Sequence, residues 1–171
     1  MPIHLRRIAP DDLAVYREIR LRALKDAPSA FGSTYARELA FSDREWTERV
    51  ERLAGETAVG FLAVGDDAVC GLVAGFLDTT DPRKAGLVSM WVAPAHRRAG
   101  VGCSLVEAVL EWAAARGART VRLMVTSAND GAMRFYEGLG FERTGVVRPH
   151  AHLSSLSEIE LERAVPPGNR P

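Results

Sequence analysis

The chain has 171 residues, 47% of them hydrophobic, with 22 Lys+Arg against 22 Asp+Glu. That length suits one domain with a real apolar core, and zero net charge argues against a nucleic-acid surface as the main function. Two isolated cysteines, Cys70 and Cys103, make no disulfide framework.

No apolar run approaches the ~18 residues of a membrane span, and the first residues lack a signal-peptide pattern, so a cytoplasmic protein is expected. Ile3 to Ile8 reads as a first strand. Pro10 suits the first position of a helix, with Asp11 and Asp12 at its positive end. Leu13, Tyr16, Ile19, Ala23 and Leu24 give that helix its apolar stripe, and Pro28 ends it. Residues 27–34 form a loop of small residues, in which Phe31 either plugs the core or lines a pocket. Ser42 to Glu45 is a capping box for a second helix that buries Trp46, Val50 and Leu53 and stops at Gly55. Residues 58–64 and 68–77 read as strands joined in a hairpin at Gly65-Asp66-Asp67. Residues 78–86 are polar and show no periodicity, so a loop is expected.

Leu87 to Val92 is a short apolar run of β-formers, ended by Pro94. Gly100-Val101-Gly102 follows, and then a helical stripe of Leu105, Val106, Val109, Leu110 and Ala113, with Gly117 as the stop. Thr120 to Val125 is a strand, so residues 87–125 form a parallel crossover unit. Asn129 opens a short helix carrying Met133, Phe135 and Tyr136. Residues 141–147 and 157–165 read as the last strands. His150 and His152 lie between them, and two histidines without a third ligand make no metal site. Residues 1–165 are read as a single domain of mixed α/β class, and 166–171 as a tail.

The turn after Val92 carries the chemistry. A helix start has N–H groups without intrahelical partners and sits at the positive end of the dipole. Gly100 and Gly102 allow close backbone approach, and Arg97 and Arg98 add positive charge, which together make a pyrophosphate cradle. No Gly-Lys-Ser/Thr ending is present, so this is not a Walker loop. Leu105 stands where a dinucleotide fingerprint needs its third glycine. The pattern Arg97-x-x-Gly100-x-Gly102, after a V-x-P strand end, resembles the acetyl-CoA loop of the GNAT superfamily of N-acetyltransferases. Asn129 to Phe141 is similar to that family's downstream motif N-x-x-A-x-x-x-Y-x-x-x-G-F.

The resemblance implies a GNAT-like fold: a mixed, mostly antiparallel sheet with a splayed parallel strand pair at 87–92 and 120–125, flanked by helices. It implies acetyl-CoA as co-substrate, its pyrophosphate held by Arg97, Arg98, Ala99, Gly100, Val101, Gly102 and Cys103. Met90, Trp91 and Val92 would hold the pantetheine and acetyl groups, with the Val92 N–H facing the acetyl carbonyl. Asn129 and Tyr136 would contact the cofactor, Tyr136 as general acid. Each has a plainer reading as well: Asn129 as a helix cap, Tyr136 as packing, Trp91 as core. The acceptor would be a small-molecule amine or a peptide N-terminus, attacking directly in a ternary complex. No nucleic-acid or membrane partner is implied, and a homodimer is compatible. A non-catalytic acyl-CoA-binding sensor is the alternative. The base is not evident: residues 87–92 hold no carboxylate, and Met124 stands where some members have Glu. Glu38, His150, His152 or a water chain remain as candidates. Acceptor choice would fall to the loops at 27–38, 78–86 and 148–156.

Overall fold

The computed structural model describes residues 2–66 and 68–167. Asp67 of the hairpin turn and residues 168–171 of the expected tail lie outside that range. Among the described residues seven strands form one sheet: β1 (His4–Arg7), β2 (Ala58–Gly65), β3 (Ala68–Leu77), β4 (Lys84–Val92), β5 (Thr120–Thr126), β6 (Glu142–Pro149) and β7 (Ser157–Ala164). Their order across the sheet is β1-β2-β3-β4-β5-β7-β6. All neighbours run antiparallel except β4 and β5. The mixed α/β, GNAT-like architecture expected from the sequence is the architecture observed.

Helices cover both faces. α1 (Leu13–Asp26), α2 (Tyr35–Leu39) and α3 (Asp43–Leu53) precede β2; α4 (Val101–Ala115) joins β4 to β5; and α5 (Asp130–Gly138) joins β5 to β6. Leu105 and Val109 of α4 press on Gly71 and Gly75 of β3, which fixes α4 to the face those glycines present. Trp91 of β4, paired with Leu72, bonds to Asp26 of α1 on the opposite face.

Four local expectations need correction. β4 begins at Lys84, not Leu87, so the end of the expected 78–86 loop is strand. α2 is an additional helix inside the acceptor-loop region, capped by Thr34. A 3-10 turn at Pro28–Ala30 also interrupts the expected loop. α1 begins at Leu13: Pro10 lies in a preceding turn, and the Asp12 carboxylate accepts from the Ala9 N–H and, bidentately, from Arg6.

Two irregularities position the site. β4 carries one residue more than β3 between the pairs Val88–Ala74 and Trp91–Leu72. This bulge places Ser89 at φ 59°, a left-handed conformation costly for a side chain. The parallel join is short: only Lys84, Ala85 and Gly86 pair with Thr120, Val121 and Arg122. Beyond Gly86 the two strands part.

Candidate functional site

The parting of β4 and β5 opens a cleft of about 1530 Å³. Its wall is the free edge of β4. The Ala93 N–H donates to Cys70 O at 2.7 Å, so strand alternation turns the Val92 peptide groups away from β3, toward the gap. The Val92 carbonyl accepts from Arg97 Nε at 2.9 Å. The N–H of Val92 is therefore the group left to face the cleft.

Arg97 holds this corner together. Its Nη2 donates to Asp26 Oδ2 at 2.6 Å, and the Trp91 indole N–H donates to the same oxygen at 2.9 Å. Trp91 is thus buried and anchored to α1, with the Arg22 guanidinium 5.4 Å from its ring centroid. The Trp91 and Arg97 bonds hold the Asp26 carboxyl below the usual range, against its burial.

The turn then delivers the start of α4. Gly100 takes φ 80°, the left-handed region glycine favours, and no side chain caps the helix. Its first N–H groups remain as donors toward the cleft mouth. Arg98, Gly100, Gly102 and Cys103 line the cleft; Ala99 and Val101 turn toward Ile3 and Leu5 of the β1 side. Arg134 of α5 also lines it. Among the described residues neither Arg98 nor Arg134 has a carboxylate partner, so both are available to an anion, whereas Arg97 is engaged. Arg134 was not singled out from the sequence, although it lies inside the Asn129–Phe141 motif.

Asn129 caps α5, its Oδ1 accepting from the Ala132 N–H at 3.0 Å, and it lines the cleft as well. The cap reading holds, and capping through Oδ1 leaves the side-chain NH₂ available to a ligand. Tyr136 is only 7% exposed and packs edge-on against Phe135 and Phe141. Burial pushes its phenol well above the ordinary tyrosine range.

Two of the base candidates, Glu38 and His150, are engaged elsewhere, and neither His150 nor His152 lines the cleft. Glu38 is fully buried and accepts from Arg20 at 2.9 and 2.8 Å and from Arg49 at 2.9 Å. Burial works to raise its pKa, but the two guanidiniums hold it below the usual carboxylate range. Arg20 also donates to Ser89 Oγ at 2.9 Å and lies 4.8 Å from the Phe31 ring centroid, so this cluster pins the β4 bulge. Phe31 is buried and also faces the cleft. His150 Nδ1 accepts from the His152 N–H, so Nε2 carries the proton and donates to Ser29 O at 2.9 Å. Met124 lines the cleft where a carboxylate was sought. Among the described residues no cluster of His, Cys, Asp or Glu could hold a metal ion, and no helix is long and apolar enough to cross a membrane.

Comparison with known proteins agrees with this geometry. Residues 20–141 match the Acetyltransferase (GNAT) family. The chain belongs to the GNAT family of acetyltransferases. It is 29% identical over 136 residues to N-alpha-acetyltransferase RimI of Mycobacterium tuberculosis, covering 80% of this chain and 73% of that protein. A 64-residue stretch is 41% identical to an uncharacterized N-acetyltransferase of Methanocaldococcus jannaschii, covering 37% of this chain but only 28% of that protein. The matched stretch thus spans less than half the length of several curated relatives. The fold is shared with yncA of Salmonella typhimurium, solved with its cofactor acetyl-CoA, at 17% identity and a TM-score of 0.79 over 100% of this chain and 98% of that one.

Proposed function

We propose that the chain is an acetyl-CoA-dependent N-acetyltransferase, acting on a primary amine by direct attack in a ternary complex. One observation carries this: the unpaired β4 edge at Val92 runs directly into the uncapped start of α4. The first offers amide partners to an extended arm, and the second offers N–H donors to a pyrophosphate. The cradle fits such a group. A Cβ on Gly102 would stand 3.0 Å from Met90 Cε and 3.2 Å from Phe135 Cζ, a tight contact that glycine avoids.

When bound, acetyl-CoA supplies its acetyl group as an activated thioester. The backbone from Ala99 to Cys103, with Arg98 and Arg134, holds the phosphates. Arg97 acts on this site by fixing the turn through Asp26. Met90, Trp91 and Val92 line the arm, and the Val92 N–H donates to the oxygen on which negative charge grows. A preorganised donor of this kind is commonly worth about 3–4 kcal/mol. The Asn129 amide, which also lines the cleft, would contact the arm. Tyr136 gives its proton to the departing sulfur and regains one from solvent. The amine would release its own proton to water, since Glu38 is already committed and neither His150 nor His152 lines the cleft. The acceptor class is a small-molecule amine or a peptide N-terminus, and the reading needs neither a nucleic acid nor a membrane.

Isothermal titration with acetyl-CoA, with ATP and NAD as controls, tests this. Selective binding that is lost in a folded Gly102→Glu variant is the expected result. Equal binding of all three, or normal affinity in the variant, overturns the cradle.

A further inference from the structure

The sheet face under α1 is built in rungs that run across the strands. Register pairs place Phe76, Gly86, Arg122 and Glu162 along one rung. The next rung holds Ala74 and Val88 on one side of the gap and Met124 and Glu160 on the other. α1 and the turn after it leave this part of the face uncovered, so Phe76 is 41% and Val88 45% exposed, both lining the cleft. Large apolar side chains left open inside a cleft mark a binding surface rather than unfinished packing. Gly86 shapes it: a Cβ there would lie 2.2 Å from Phe76 Cζ, so glycine lets the ring lie across the strand as a platform.

A carboxylate stands beside that platform. Glu160 Oε1 accepts from the Thr144 hydroxyl at 2.8 Å, which fixes the side chain and leaves Oε2 open. Glu38, Asp78, Glu158 and Glu160 are the described carboxylates lining the cleft. Glu38 is held by two arginines and Glu158 pairs with Arg148. Asp78 Oδ1 caps its own turn through Thr80 and Asp81. Arg122 lies in the field of Glu160 but is bonded to Glu162 and also faces Asp78, and Lys84 of the same cleft is set beside Asp78 and Asp81, so neither cation is bonded to Glu160.

We propose that this half of the cleft is an acceptor subsite for a small primary amine carried on an apolar body. The body lies on Phe76 and Val88, and the ammonium group is received by Glu160 across Met124. Val88 and Val92 belong to the same strand, β4, and Phe76, Val88, Val92 and Glu160 all line the one cleft, so this half and the Val92 edge share a single space. This rests on the acetyltransferase reading above and specifies its acceptor.

The test measures release of CoA thiol with phenethylamine, ethanolamine and a peptide beginning with alanine, in wild type, Phe76→Ala and Glu160→Gln. Glutamine keeps the acceptor for Thr144 and removes the charge. Expected is a kcat/KM for phenethylamine at least ten-fold above the other two. Each variant should raise KM for phenethylamine about ten-fold, with kcat and acetyl-CoA affinity nearly unchanged. Equal or better use of ethanolamine or the peptide, or an unchanged KM in both variants, overturns the subsite. Normal acetyl-CoA binding without turnover of phenethylamine overturns it while sparing the cofactor reading. If acetyl-CoA does not bind, the cofactor reading fails, and calorimetry with phenethylamine alone decides the subsite. Binding weakened by Phe76→Ala upholds it; no binding to wild type ends it.

Discussion

Tyr136 owes its chemistry to its surroundings. Enclosed by Phe135 and Phe141, its phenol is driven upward by burial alone, so it stays protonated through neutral pH and beyond the ordinary tyrosine range near 10. Tyr136→Phe should lower kcat about ten-fold or more while leaving acetyl-CoA affinity unchanged, read by steady-state kinetics beside calorimetry. An unchanged kcat would leave Tyr136 a packing residue. In the wild type, Tyr136 should give kcat no alkaline limb below about pH 10, because its titration is displaced upward. At this scale the sequence was legible where a residue acts through its own backbone or a local contact. Gly100, Gly102, Asn129 and Tyr136, singled out through the motif resemblance, all line the cleft. The occupation of Arg97 could not be read in this way, because its partner Asp26 is 71 residues away. Nor could the state of Glu38, which depends on arginines from two other helices.

Most elements found from the sequence bury apolar side chains, although β6, exposed along its whole length, was found as well. α2 escaped because its one buried side chain is a carboxylate, which inverts the usual pattern. It is held in place by Arg20 of α1 and Arg49 of α3. Glu38→Ala strands buried guanidinium charge and should cost about 3 kcal/mol or more in urea unfolding. Glu38→Gln, in protein that still folds, should keep the wild-type pH–rate profile, since this carboxylate is not the base. The first residues of β4 escaped for another reason. Lys84, Ala85 and Gly86 show no strand pattern, and their conformation is set by pairing with β3 and β5. In contrast, the capping box at Ser42 and Glu45 forms as the sequence indicates, with both reciprocal bonds present.

For the molecule as a whole, carboxylates held low by their partners link stability to pH, and three of them, Asp12, Asp26 and Glu38, are paired with arginines. Asp12 is held low by its hydrogen bonds to Arg6, and Asp26 by those from Trp91 and Arg97. Glu38 is held low by Arg20 and Arg49 in spite of its burial. A carboxylate with a depressed native pKa contributes fully above its unfolded value, near 4, and loses that contribution as pH falls further. The melting temperature should therefore respond little to these groups between pH 5 and 7 and drop steeply below about pH 4, as calorimetry would record. The brief union of β4 with β5 has a different consequence. Three register pairs join a four-stranded plank, β1 to β4, to a three-stranded one, β5 to β7, as a peg is joined at its spring. An amide-bearing arm laid in the gap would supply the missing rungs and lengthen that seam. The co-substrate then becomes part of the scaffold: amide hydrogen exchange in 87–92 should slow when it binds, and the loaded protein should resist heat in proportion to ligand concentration.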